Sequence, residues 1–299
     1  MAFSTYLNYF IAGYTGLTLA LYMLSPISSK AGFAARLLAS YISLCLAALY
    51  GVAASVALRL AGDVQVAQWA TARAFKYLMA ATTGVTFVVQ DPQRHLERVR
   101  PAVFIGNHQT ELDVLMLGCM FPKYCSVTAK SSLKRMPFLG WFMMLSGSIF
   151  IDRKNSKDAR EAMRGAAEEM RTKRQSVYMF PEGTRSYAKD PMLLPFKKGA
   201  FHLAVQAQVP IVPVVVSNYS HVLWIKGMVF RSGKIPIKVL DPIPTTGLTA
   251  ADVDELTRST RELMLKELIN LTAEARGEVA PIPAETVKAS GVDVVRKPA

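Results

Sequence analysis

The chain has 299 residues, enough for one large domain or one domain with appendages. It is 51% hydrophobic with a mean hydropathy of +0.23, high for an ordinary soluble domain, and it carries a formal net charge of +13. Three cysteines and four histidines, scattered and partly in apolar contexts, exclude a disulfide framework and give no metal site.

Met1 to Ser29 contains no Asp, Glu, Lys or Arg, and a second charge-free run lies between Arg36 and Arg59. Each is long enough for a helix that crosses or deeply enters a bilayer. A cleaved signal peptide fits less well, because the first run lacks a basic leader and a second apolar run follows it. Residues 1–62 therefore read as a two-helix membrane anchor. Both a spanning and a re-entrant arrangement satisfy this composition.

An amphipathic stretch, Val64 to Ala81, leads into an alternation of strands and helices, so the chain is of the α/β class. Val85–Val89, Ala102–Gly106, Tyr124–Ala129, Ser148–Ile151, Ser176–Phe180, Ile211–Val216 and Ile235–Val239 are the expected strands. Helices are expected after His108, over Pro137–Met144 (opened by its proline), over Ser156–Thr172 and over Gly199–Ala207. The second of these is an apolar helix, either a wall for an acyl chain or a core element. A polar, regularly spaced helix, Ala251–Leu271, closes a domain of residues 63–271. Residues 272–299 alternate Ala, Pro, Glu, Lys and Gly and read as a mobile tail.

The charge is concentrated. From Lys123 to Lys234 there are 19 Lys and Arg against 7 Asp and Glu. Such a field gathers anionic substrates or lipid headgroups. It would also serve nucleic acid, but no stacking-aromatic or zinc-finger pattern accompanies it, so no nucleic-acid partner is expected.

The same region holds polar clusters at three strand ends. Asn107-His108-Gln109-Thr110-Glu111-Leu112-Asp113 lies between an apolar strand and an apolar helix. It puts a histidine at the C-terminal edge of a strand, where α/β folds place their chemistry. An aspartate five residues on can fold back to the imidazole. With no serine between them, the pair suits a base acting on a substrate hydroxyl. Asp152-Arg153 and Glu182-Gly183-Thr184-Arg185-Ser186 end two further strands. A histidine base, two arginines and a glycine turn together suit binding a phosphorylated alcohol and passing its hydroxyl to an acyl group. No Gly-x-Ser-x-Gly, Gly-x-Gly-x-x-Gly or Walker pattern occurs, and His202 and His221 lack comparable support.

Asn-His-x4-Asp, Gly147–Arg153, Phe180–Ser186 and Val209–Pro213 match, in order and spacing, four motifs of the glycerolipid acyltransferases. The chain resembles the PlsC-like 1-acyl-sn-glycerol-3-phosphate acyltransferases over about Val64 to Val239, most of all their eukaryotic, fungal-like branch. The resemblance implies a mixed sheet flanked by helices behind a two-helix anchor. It implies acyl transfer from acyl-CoA to the sn-2 hydroxyl of lysophosphatidate, with no cofactor. The shared motifs also admit glycerol 3-phosphate or another lysophospholipid as acceptor. A basic membrane protein that binds anionic lipid without turnover is the non-enzymatic alternative.

His108 would be the general base. A free imidazole's pKa of about 6.5 lies far below that of an alcohol, so proton transfer must accompany attack. Asp113 would hold the imidazole tautomer, although a carboxylate is favoured at a helix start in any case. Arg185 would bind phosphate with its planar fork. Glu182, Gly183 and Thr184 would shape that turn and count among the substrate-binding residues, Glu182 orienting either Arg185 or a substrate hydroxyl, with a supporting role preferred, and the amide of Gly183 or a neighbour facing the oxyanion. Arg153 and Lys130 are further phosphate candidates. Val209–Pro213 is mostly structural. Membrane phospholipids are the expected surroundings. The endoplasmic reticulum, or a lipid droplet, is the expected location, with the site facing the cytosol.

Overall fold

Seven strands form one sheet in the order β1-β9-β6-β2-β5-β3-β4. The computed structural model describes residues 2–152 and 156–278. The strands are β1 (Val85–Gln90), β2 (Val103–Gly106), β3 (Cys125–Lys130), β4 (Ile149–Ile151), β5 (Ser176–Met179), β6 (Ile211–Val216) and β9 (Gly233–Val239). A two-stranded ribbon, β7 (Leu223–Trp224) with β8 (Val229–Phe230), was not expected from sequence; its strands are too short to show alternation.

The sheet is mixed. β6, β2, β5, β3 and β4 run parallel to one another, β9 is antiparallel to β6, and β1 is parallel to β9. The C-terminal ends of the five parallel strands thus share one edge, and Asn107, Asp152 and the Glu182 turn follow there.

Both faces of the sheet are covered, which is why the central strands read as unbroken apolar runs. Phe104, Tyr178, Val212 and Val214 face one core, filled by Phe75 and Met79 of α3 (Ala67–Thr83) and Leu115 and Met116 of α5 (Asp113–Met120). Their neighbours Val103, Ile105, Val177 and Val215 face the other. There they meet α7 (Ser156–Lys173), α8 (Gly199–Ala207) and α9 (Val253–Arg276). The alternation is the period of two along a strand.

α9 runs past the expected end at Leu271. Leu271, Thr272 and Ala273 are buried, and the helix stops only where Gly277 takes a left-handed conformation. Residues 279–299 of the expected tail lie outside the described residues.

The N-terminal segments form α1 (Ala2–Leu24) and α2 (Ser29–Leu60), capped at its start by the Ser28 side chain. Both are long and apolar enough to cross a bilayer. α1 is mostly exposed but is tied to the Leu38 and Thr82 carbonyls through the Tyr14 and Tyr22 hydroxyls, and α2 packs into the domain. Its small residues Ala35, Ala39, Ser43, Ala47, Ala48, Gly51 and Ser55 are buried. Gly51 lets α6 (Leu139–Leu145) approach so closely that a methyl there would lie 2.6 Å from the Phe142 ring. Arg36 and Arg59 bond to backbone carbonyls of Thr83 and Leu145 at 3.1 and 2.9 Å.

α6 is not a core helix. Trp141 and Met144 are exposed, with Met136 and Phe138 beside them. Nor does Pro137 open it: Phe138 adopts a left-handed φ of 59°, and the helix begins at Leu139. α4 (His95–Arg98) is a single turn after β1.

Candidate active site

The chain leaves β2 at Gly106 and turns into α5 through the Asn107–Leu112 loop. Asn107 stays registered with the sheet: its amide donates to the Val216 carbonyl at 3.0 Å and accepts from the Val216 N–H at 2.8 Å. Gln109 also donates to the carbonyls of Val216 and Ser217. β6 therefore fixes the loop on both sides of His108.

Asp113, the first residue of α5, is 1% exposed and folds back onto the loop. Its Oδ2 lies 2.7 Å from His108 Nδ1 and accepts the N–H groups of Gln109 and Thr110 at 2.6 and 3.1 Å. Its Oδ1 accepts the Tyr219 hydroxyl at 2.7 Å. A carboxylate bonded this way stays an acceptor, so Nδ1 carries the ring proton and Nε2 is left as the base. The imidazole, 18% exposed, stacks on Phe180 with ring centres 4.0 Å apart. Among the described residues, none takes Nε2 as a hydrogen-bond partner.

Tyr219 is a site residue that the sequence reading missed. It lies 106 positions from Asp113 and is fully buried. Burial first, and then the Asp113 charge, push its phenol well above the ordinary value, so it remains a donor to the carboxylate.

β5 lies beside β2 and ends in Phe180-Pro181-Glu182-Gly183-Thr184-Arg185. Glu182, placed from sequence in the substrate-binding turn with a supporting role preferred, is a brace between backbone segments. It is 3% exposed, and its two oxygens accept the N–H groups of His108 at 2.7 Å and Leu194 at 2.8 Å. Burial raises its carboxyl above the usual range, and those two N–H groups pull it partway back. The Ser186 and Tyr187 amides bond to the carbonyls of His108 and Gln109, sewing the two strand ends together.

Gly183 has a φ of 70°, which a residue with a side chain rarely adopts. Its own N–H donates to the Phe180 carbonyl, so it is not an oxyanion donor. The N–H groups of Thr184 and Arg185 bond to no acceptor among the described residues.

Arg185 is 35% exposed and already engaged: its guanidinium donates to Glu111 at 2.9 Å and to the Tyr187 hydroxyl at 3.3 Å. Lys130 ends β3 and is exposed at the same sheet edge, one strand beyond β5. Arg153 lies outside the described residues. His202 and His221 are exposed, and neither bonds to the pair. Among the described residues, no group of three or more His, Cys, Asp or Glu side chains is arranged to hold a metal ion.

This arrangement can remove a proton from a hydroxyl at Nε2, and it holds on the neighbouring strand end a guanidinium and two amides that meet no acceptor among the described residues. Comparison with other proteins agrees with that chemistry. Residues 87–217 match the family model described as Acyltransferase. The 1-acyl-sn-glycerol-3-phosphate acyltransferase of Saccharomyces cerevisiae is 44% identical over 219 residues, 73% of this chain and 72% of that protein. The human 1-acyl-sn-glycerol-3-phosphate acyltransferase beta is 40% identical over 259 residues, 85% of this chain and 90% of that one. The crystal structure of the 1-acyl-sn-glycerophosphate acyltransferase PlsC from Thermotoga maritima shares the fold, with a TM-score of 0.60 at 21% identity over 90% of this chain and 99% of that chain. The chain belongs to the family of 1-acyl-sn-glycerol-3-phosphate acyltransferases.

Proposed function

We propose that the protein transfers an acyl group from acyl-CoA to the sn-2 hydroxyl of 1-acyl-sn-glycerol 3-phosphate, forming phosphatidate and free CoA without a cofactor. The observation that carries this reading is the His108–Asp113 pair at 2.7 Å, placed beside the Arg185 turn and backed by relatives bearing that activity in their names.

His108 Nε2 takes the hydroxyl proton as the oxygen attacks the thioester carbonyl. Asp113 stabilises the imidazolium that forms. The N–H groups of Thr184 and Arg185 are the donors for the oxyanion at this edge. Collapse breaks the C–S bond, and the imidazolium returns its proton to the departing thiolate. No acyl-enzyme is needed, because the acceptor hydroxyl stands where a catalytic serine would.

The lipid substrates fit the surroundings. α1, α2 and the exposed apolar side of α6 place a hydrophobic surface on the same molecule as the reactive edge. Keeping acyl chains in lipid avoids exposing them to water, at about 0.8 kcal/mol per CH₂. Seating in the endoplasmic reticulum membrane with the site toward the cytosol agrees with three unpaired cysteines.

Purified protein offered lysophosphatidate, glycerol 3-phosphate and lysophosphatidylcholine with acyl-CoA tests the acceptor; a preference for either of the last two overturns it. His108→Ala tests the base. CoA release should fall about a thousandfold while flotation with liposomes is unchanged. Unchanged turnover would remove His108 from the mechanism.

A further inference from the structure

The turn that carries Arg185 lies under a second cation, Lys197, which none of the four motifs contains. The root of this side chain is fixed. Lys197 N–H donates to the Pro181 carbonyl at 2.7 Å, and Leu194 N–H to Glu182 at 2.8 Å. Arg261 of α9 grips the carbonyls of Leu193 and Leu194 at 2.6 and 3.2 Å. From this base the stem of Lys197 crosses the bare face of Gly183. A methyl on Gly183 would sit 3.0 Å from its Cδ and Cε and 3.1 Å from its Nζ. The ammonium therefore rests over the Gly183–Arg185 turn.

Charge balance sets this lysine apart. Lys198 pairs with Asp254 at 2.7 Å and Arg185 with Glu111 at 2.9 Å. Among the described residues, no carboxylate lies within ion-pair distance of Lys197. A phosphomonoester carries about −1.5 to −2 at neutral pH. One guanidinium shared with a glutamate is a poor match for that charge.

We propose that Lys197 is a ligand of the acceptor's phosphomonoester and forms with Arg185 a two-cation seat across the Gly183 turn. The inference rests on the reading of a phosphorylated acceptor given above and adds the residue that completes its phosphate site. When phosphate arrives, Arg185 exchanges its Glu111 contact for the ligand, while Lys197 approaches from the opposite side of the turn without first breaking an ion pair.

Coenzyme A also bears phosphate, so the test varies the two substrates separately. The full-length protein and its Lys197→Ala, Lys197→Arg and Lys198→Ala variants are assayed in mixed micelles, with lysophosphatidate varied at saturating acyl-CoA and then the reverse. For Lys197→Ala we expect the KM for lysophosphatidate to rise about tenfold, with kcat and the KM for acyl-CoA within about twofold. Lys197→Arg should recover most of the loss, and Lys198→Ala should match the parent. A rise in the KM for acyl-CoA alone assigns the lysine to the donor and overturns the proposal. So does an unchanged KM, or an equal rise in Lys198→Ala, which would mark a diffuse field. Failure of the parent to use lysophosphatidate sinks the acceptor reading itself, and it is seen before any variant is made.

Discussion

The ends of β2 and β5 lie side by side and are built on opposite plans. At the end of β2, Asn107, Gln109, Thr110 and Asp113 are all buried, and their side chains bond to backbone groups, to Tyr219 or to His108. At the end of β5 Pro181 and Glu182 are buried, but Thr184 is exposed and Arg185 reaches a half-exposed Glu111. The difference follows from what each end must do. A base has to meet one proton along one line, so its ring is immobilised. A cation meeting a phosphate can swing, and a long arm in water loses little by it. Glu182 belongs to the first plan although it lies on the second strand, because it ties the two together.

Substitutions separate the plans. The largest effect is expected for Asp113→Asn, which keeps the shape but turns an NH₂ group toward either the three donors on Oδ2 or the Tyr219 hydroxyl on Oδ1. Its kcat should fall about ten-thousandfold with KM little changed, and its thermal unfolding should reflect a loss of about 1–3 kcal/mol.

Glu182→Gln comes next. One of its two backbone donors loses an acceptor, His108 shifts, and kcat should fall about a hundredfold in steady-state assays. Its pH signature is distinct. The Glu182 pKa is raised in the folded state, so the native protein holds this proton more tightly than the unfolded chain. The stability it contributes is full below the unfolded carboxyl's value of about 4.3 and is lost as pH rises through the folded value. Denaturant titrations across that window should show this fall in the parent and its absence in Glu182→Gln.

Arg185→Ala should act on the other plan, raising the KM for lysophosphatidate about tenfold while kcat holds. Lys130→Ala, one strand further away, should change the same constant by less than about threefold. An equal defect in both would mean the phosphate sits farther along the sheet edge. Between these, Tyr219→Phe removes one bond to Asp113. It should lower kcat about fivefold with both KM values unchanged, as expected for about 1 kcal/mol.

Much of the fold was legible. α8 and β6 occupy the expected residues, because an apolar run bounded by Gly199 at one end and Pro210 at the other leaves little choice. The mixed sheet was implied only by resemblance: nothing local in Gly233–Val239 tells that β9 turns antiparallel to β6. The start of α6 was misjudged because a proline permits a helix start without enforcing one, and Phe138 reverses the chain first. At the site, the His108–Asp113 pair was visible because its members lie only five positions apart. Tyr219, Glu111 as partner of Arg185, and Lys197 were not, because each acquires its role through a contact made across many residues. Glu182 was visible as a supporting residue but its partners were not, since they are backbone groups, which no side-chain pattern announces.

Asn107 has a consequence of its own. Its carboxamide carries a donor and an acceptor at the spacing of a peptide group, and both are spent on Val216. The ladder between β2 and β6 thus gains a rung after the main chain has left it. The backbone is free to veer toward α5 one step early, while β6 loses no partner. Aspartate at this position would supply no donor, and serine would supply one short arm for two tasks. An ordinary strand residue would hold the rung with its own backbone and carry the next residue straight on. The histidine turns aside where it does because a side chain impersonates the strand it has just departed.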